Sequence, residues 1–231
     1  MRMRKLLAAL FWCAALLIVA GSLDAQTTGE LPSAPIAPLL PTTPPDPPAW
    51  AAFKDAWGNV NAYSATVTFF EQQGTQTQNS VFYYTFRKPA SATVHFIKGP
   101  HAGAILVWNG GDTVVAQLGS GLMGLFKKTL SLHDPLVMTI RGASIDQLSY
   151  AGIVAHSQDT PGTMSQAPGP TILGIPTEAV TLIPTSAVTN SGLTHEIVDI
   201  PKIPSLPIRV LGYEGETLVR QIEFSDIKLL P

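Results

Sequence analysis

Residues 62–89 read AYSATVTFFEQQGTQTQNSVFYYTFRKP, and the period of this stretch decides the fold class. Tyr63, Ala65, Val67 and Phe69 alternate with Ser64, Thr66 and Thr68, the apolar-in, polar-out rhythm of a half-buried strand. Gly74, set among polar residues, marks a turn. From Ser80 the rhythm resumes, with Phe82, Tyr84 and Phe86 on one face, until Lys88-Pro89 stops it. A short connection between two strands favours antiparallel pairing, because a parallel pair needs a crossover of a dozen or more residues.

The same signals continue downstream. Strands are predicted at 93–97, 104–108 and 113–118, punctuated by Lys98-Gly99-Pro100 and Asn109-Gly110-Gly111-Asp112. A second run is predicted at 178–183, 193–200, 208–213 and 218–227, the last two joined through Glu214-Gly215-Glu216. Between the runs the period changes. Leu122, Leu125, Phe126, Thr129 and Leu130 carry a helical spacing with Lys127 and Lys128 opposite, and His133-Asp134-Pro135 ends it. Residues 136–140 fit strand or helix equally, 145–150 fit one helical turn, and the Pro/Gly-rich 157–169 reads as a loop. Upstream, Trp50, Phe53, Trp57 and Val60 form the stripe of a short amphipathic helix. There is no internal repeat. The predicted class is α+β: a curved antiparallel sheet forming a half-open β-barrel, lidded by helices that bury their stripes on one face.

The N-terminus reads as export machinery. Arg2, Arg4 and Lys5 precede an apolar run over 6–20, which is short against the roughly 20 residues needed to span a bilayer. A basic start, a short apolar run and a small residue before a polar one describe a secretory signal peptide. Cleavage is expected after Ala25, so residues 1–25 are the signal; retention as an inner-membrane anchor is the alternative. Residues 26–48 hold eight prolines and read as an extended tether, at about 3.1 Å per residue. The domain is expected over 49–231.

Cys13 is the sole cysteine and lies in the apolar run. A chain cleaved after Ala25 therefore has no disulfide, thiolate metal site or cysteine nucleophile. Removing Arg2, Arg4, Lys5 and Asp24 from 14 basic and 16 acidic residues leaves 11 against 15, a formal charge of −4. No basic stripe with interleaved aromatics exists, which argues against nucleic acid as a partner. Charged residues make up 13% of the chain, about half the roughly 25% of ordinary globular proteins. Such a chain has apolar surface to spare for a cavity or a partner.

Several stretches together resemble the lipoprotein-carrier superfamily, the LolA/LolB-like periplasmic proteins and their uncharacterised relatives. They are Trp57 followed by Tyr63-Ser64-Ala65-Thr66-Val67 and Phe70-Glu71; Phe82-Tyr83-Tyr84-Thr85-Phe86-Arg87-Lys88-Pro89; and Val107-Trp108-Asn109-Gly110-Gly111-Asp112-Thr113-Val114. The inserted segment ending at Asp134-Pro135-Leu136 fits as well, as do Glu214-Gly215-Glu216-Thr217-Leu218-Val219 and Glu223-Phe224-Ser225-Asp226-Ile227-Lys228. Each is degenerate; order and spacing carry the likeness. It implies a curved antiparallel sheet with a hydrophobic cavity under helices that accepts acyl chains, in a periplasmic protein.

Catalytic chemistry finds no foothold in the sequence. His95, His101, His133, His156 and His195 are scattered, with no pair at metal-ligand spacing. His133-Asp134 reads as the polar end of a helix. Adjacent residues on a strand face opposite ways, so His195 and Glu196 do not cooperate with each other. Gly103 and Gly119-Ser120-Gly121 lack the Gly-x-Ser-x-Gly and phosphate-loop patterns and read as turns. Arg141 and Arg87-Lys88 read as solvated positive positions. No enzyme activity, cofactor or metal is expected.

The informative material is apolar. Phe82, Tyr84, Phe86, Phe96, Leu106 and Trp108 are placed by period two on one face of adjacent strands, and Met123, Leu125, Phe126 and Met138 are positioned to close over it. A core and a cavity wall look alike in sequence. The reading is a monomeric periplasmic binding or carrier protein for an acyl-bearing ligand, lipid or lipoprotein, in an apolar cavity. The alternative is a protein-interaction or envelope-stress sensor module on the same scaffold, without lipid cargo, partnered by envelope membrane proteins.

Overall fold

The computed structural model describes residues 45–117, 119 and 126–231. The signal segment, Cys13, the tether as far as Pro44, and the predicted cavity residues Met123 and Leu125 lie outside the described residues.

Helix α1 (Pro48–Gly58) opens the described chain, with a proline in its first turn, and buries Trp50, Phe53 and Trp57 on one stripe. A first meander follows: β1 (Ala62–Gln73), β2 (Gln76–Arg87), β3 (Ser91–Lys98), β4 (Ile105–Trp108), β5 (Thr113–Gln117) and β6 (Lys127–Ser131). After an irregular strap over 132–149 comes helix α2 (Tyr150–Asp159). The second meander is β7 (Gly162–Ile172), β8 (Ile175–Pro184), β9 (His195–Pro201), β10 (Arg209–Glu214) and β11 (Thr217–Leu230).

These eleven strands form one antiparallel sheet in the order β6-β5-β4-β3-β2-β1-β11-β10-β9-β8-β7. The end strands β6 and β7 do not pair, so the sheet curls without closing. The predicted antiparallel, half-open architecture is therefore what the chain adopts. The quoted stretch is its β1–β2 hairpin, in unbroken register from Ala62↔Arg87 to Gln73↔Gln76. Gly74 supplies the positive φ of its two-residue turn, at 58°.

The concave face holds the core. Tyr63 stacks on Tyr150 with ring centroids 4.5 Å apart, while Phe53, Trp57 and Phe224 pack around them. Buried phenols need partners. Tyr150 Oη donates to the Pro207 carbonyl and Tyr84 Oη to the Ile145 carbonyl, each at 3.0 Å. Lys88 crosses the end of α1, donating to the Trp57 carbonyl at 2.6 Å and lying 4.3 Å over the Trp57 ring.

Four predicted segments differ. Residues 122–125 of the helix expected over 122–130 lie outside the described residues; 127–130 belong to β6, paired with β5 from Thr113↔Ser131 to Gln117↔Lys127. Only Leu130 of β6 is buried; one inward side chain leaves too little alternation to read, and lysines suit a strand at a sheet edge. Residues 136–140 are turn and irregular structure, and the helical turn expected over 145–150 is a run of turns over 145–148 that leads into α2, which starts at Tyr150 with Ser149 as its N-cap. The loop expected over 157–169 is the end of α2 followed by β7. An edge strand needs no buried face, and its exposed prolines, Pro168 and Pro170, are tolerated there beside a register shift.

Phe53 is fully buried, whereas Phe126 is 72% exposed. Phe53→Ala is expected to cost about 3–5 kcal/mol and Phe126→Ala less than about 0.5 kcal/mol, both read by urea unfolding.

Candidate functional site

The strap over 132–149 crosses the concave face and is tied down by polar groups of the sheet. Gln78 Oε1 accepts from the Ile140 amide at 3.1 Å, and Glu71 Oε2 accepts from the Arg141 amide at 3.1 Å. The Arg141 side chain is only 5% exposed. It donates to the Gln72 carbonyl at 2.7 Å, the Ser191 carbonyl at 2.6 Å and the Glu214 carboxylate. Arg141 is thus a buried fork joining the strap to the end of β1, the β8–β9 connection and the end of β10, not a solvated position. Burial pushes the Glu71 carboxyl above its ordinary value, against the hydrogen bonds from Thr139 and the Arg141 amide.

Among the described residues, three cavities border the strap. The first, about 40 Å³, lies between it and β1–β4, lined by Phe69, Phe82, Phe96, Leu106, Met138, Ile145 and Leu148 among others. One water takes up about 30 Å³ of the liquid, so this space admits no chain. The second, about 390 Å³, lies under α2 against β8–β11; small-molecule sites span roughly 300–1,000 Å³. Its apolar wall is Val180, Leu182, Val198, Val210 and Ile222 from the sheet, with Trp50, Leu148, Ile153 and Met164. The third, about 490 Å³, is an open recess between the strap and the β3–β4 connection, lined by His101, Pro135, Met138 and Ile140.

The polar edge of the second cavity is organised around Glu196. Its side chain points inward from β9, beside Val198 and Ile200 on the same face. Oε1 receives His156 Nε2 of α2 at 2.6 Å and Asn190 Nδ2 at 3.0 Å, and Oε2 receives the guanidinium of Arg220 from β11. Burial alone would raise the pKa of Glu196. The His156 hydrogen bond, the Arg220 charge and the Asn190 amide outweigh it and bring it down to about 2. The arrangement holds an ion pair in a water-poor wall, and no group of His, Cys, Asp or Glu among the described residues is placed to hold a metal.

The predicted apolar residues divide. Phe82, Phe96, Leu106 and Met138 line the 40 Å³ cavity. Tyr84 and Phe86 are fully buried, Phe86 5.7 Å from the Trp57 ring, and Trp108 donates from Nε1 to the Gly111 carbonyl at 2.9 Å. Phe126 belongs to the lining of none of the three cavities. The wall of the larger cavity escaped sequence reasoning, although its strands were predicted. A readable signal existed: a lone carboxylate, Glu196, continuing the inward alternation of Val198 and Ile200.

No family model matches the sequence, and no curated protein matches it. Solved structures similar to this one include an uncharacterized conserved protein from Thermus thermophilus, 10% identical over 79% of this chain and 85% of that one, with a TM-score of 0.49. The lipoprotein LppX of Mycobacterium tuberculosis is 14% identical over 78% and 92%, with a TM-score of 0.47. A LolA superfamily protein from Nitrosomonas europaea is 11% identical over 79% and 94%, with a TM-score of 0.36. At these values the likeness is one of chain architecture.

Because the folded pKa of Glu196 is depressed, its contribution to stability is complete above its ordinary value of 4.5 and is lost as pH falls toward about 2. Glu196→Gln leaves the Arg220 charge buried without its partner and is expected to cost about 3 kcal/mol at neutral pH. Urea unfolding of variant and parent should show that gap shrinking as the pH is lowered below about 4.5.

Proposed function

We propose that this protein is a binding or carrier protein of the bacterial envelope, exported by its N-terminal signal, for a lipid or the acyl chains of a lipoprotein. The chain sits on the concave face under α2, and the strap is the movable wall. The observation that carries the reading is the 390 Å³ cavity and its shared boundaries. Ala143 and Leu148 of the strap line both it and the small apolar cavity, and Gly142 borders both it and the open recess. Lifting the strap joins the three spaces into one apolar trough along the sheet.

Energetics favour such an occupant. Each buried CH₂ contributes about 0.8 kcal/mol, so a 14-carbon chain gains roughly 10 kcal/mol before the costs of ordering and association. The strap is held by the buried side chains of Leu132, Ile145 and Leu148 and by polar ties through the amides of Ile140 and Arg141 and the Arg141 fork, and the hydrogen bonds can be exchanged for water when it lifts.

Native mass spectrometry with lipid extraction, on the protein purified without detergent from the cell envelope, is expected to reveal an acyl-bearing species at about one per chain. Val198→Trp, which projects an indole into the second cavity, should reduce uptake of a fluorescent fatty-acyl probe at least roughly tenfold while the circular dichroism spectrum is retained. Apo protein that takes up no acyl probe would instead favour a protein partner for the same face.

A further inference from the structure

Resting on the reading that the second cavity holds an amphiphile, we propose that it selects acyl chains carried on a head group without negative charge, an uncharged hydroxyl-bearing head above all, and discriminates against fatty-acid carboxylates and anionic phospholipids. The argument concerns which charges at the cavity are already paired. Two arginines line it, Arg141 and Arg220, and either could be taken for an anion receptor. Each already pairs with a carboxylate: Arg141 with Glu214, besides donating to two carbonyls, and Arg220 with Glu196, while the Nε of each is buried without a partner among the described residues. Their side chains are 5% and 15% exposed, so an anion at either arginine would share the guanidinium with the carboxylate already paired to it, and that like-charge contact in a poorly exposed wall is unfavourable.

The remaining charge at the cavity is negative. Asp146 on the strap and Asp159 at the end of α2 line it, and neither has a cationic partner within salt-bridge distance among the described residues. An anionic head in the same space meets two carboxylates without a cationic partner, and like charges repel. A hydroxyl-bearing head meets acceptors instead. Asp146 and Asp159 accept, the Ser191 carbonyl already serves as an acceptor, Ser157 and Thr189 donate to the Val154 and Ser186 carbonyls and so accept, and Thr160 both donates and accepts. The cavity therefore offers an apolar floor for the chain and an acceptor-rich, weakly acidic rim for its head.

The test compares two probes of the same chain length on the full protein, monomyristoylglycerol and myristate, by displacement of a fluorescent acyl probe above neutral pH and below their critical concentrations. The uncharged probe is expected to bind at least roughly tenfold more tightly. Asp146→Asn with Asp159→Asn should narrow that ratio by tightening myristate at least roughly threefold. Myristate binding as tightly as monomyristoylglycerol, or more tightly, overturns the selectivity while leaving the cavity reading intact. Failure of both probes to bind removes the cavity reading and the selectivity with it.

Discussion

The pairing of β1 with β11 is the constraint on which the rest of this molecule depends. Every other strand pair joins neighbours in the chain, but Val67↔Phe224 and Phe69↔Ile222 bring together residues from the two ends of the domain. This seam turns two meanders into one sheet. It also places Phe224 against Tyr150 and lets Tyr63, Phe53 and Trp57 complete the aromatic core around that ring. Without the seam, α1 and α2 would have no common surface to cover. Closing so long a loop carries an entropic cost that only contacts across the whole sheet can offset.

A sheet that curls but does not close has two consequences. Its edges must be protected against further pairing, and here they are: β6 carries Lys127 and Lys128, and β7 carries Pro168 and Pro170. Its concave face must be covered, and the cover is uneven. Over β1–β4 the strap packs closely and leaves about 40 Å³, while under α2 the sheet stands off and leaves about 390 Å³. The difference follows from what each half presents. Phe69, Phe82 and Phe96 fill one side, whereas Val180, Val198, Val210 and Ile222 line the other with shorter side chains.

Polar groups on the concave face position segments that a wholly apolar face could not. Glu71 and Gln78 read the strap's amides, and Glu196 gathers a histidine, an amide and a guanidinium from α2, the β8–β9 connection and β11. Each pins a segment that lacks regular secondary structure or must keep its angle to the sheet. Buried charges of this kind add little net stability when satisfied but are costly to break.

Local period determined much of this protein from sequence alone. The alternation of Tyr63 to Phe69 and of Phe82 to Phe86, and the stripe of Trp50, Phe53 and Trp57, specify β1, β2 and α1, because each is set by side chains a few residues apart. Short turns made the pairing antiparallel. Other features had no local signature. The edge strand β7 buries almost nothing, so no alternation marks it, and the Lys127–Ser131 segment becomes a strand only because β5 offers it an edge. Whether Phe82 and Phe86 face a cavity or a filled core depends on what lies opposite, which their own neighbours in sequence do not encode. The cluster of His156, Glu196 and Arg220 spans separations of 40 and 24 residues. Only the folded sheet decided that these three meet, because their meeting is a property of strand order and not of spacing along the chain.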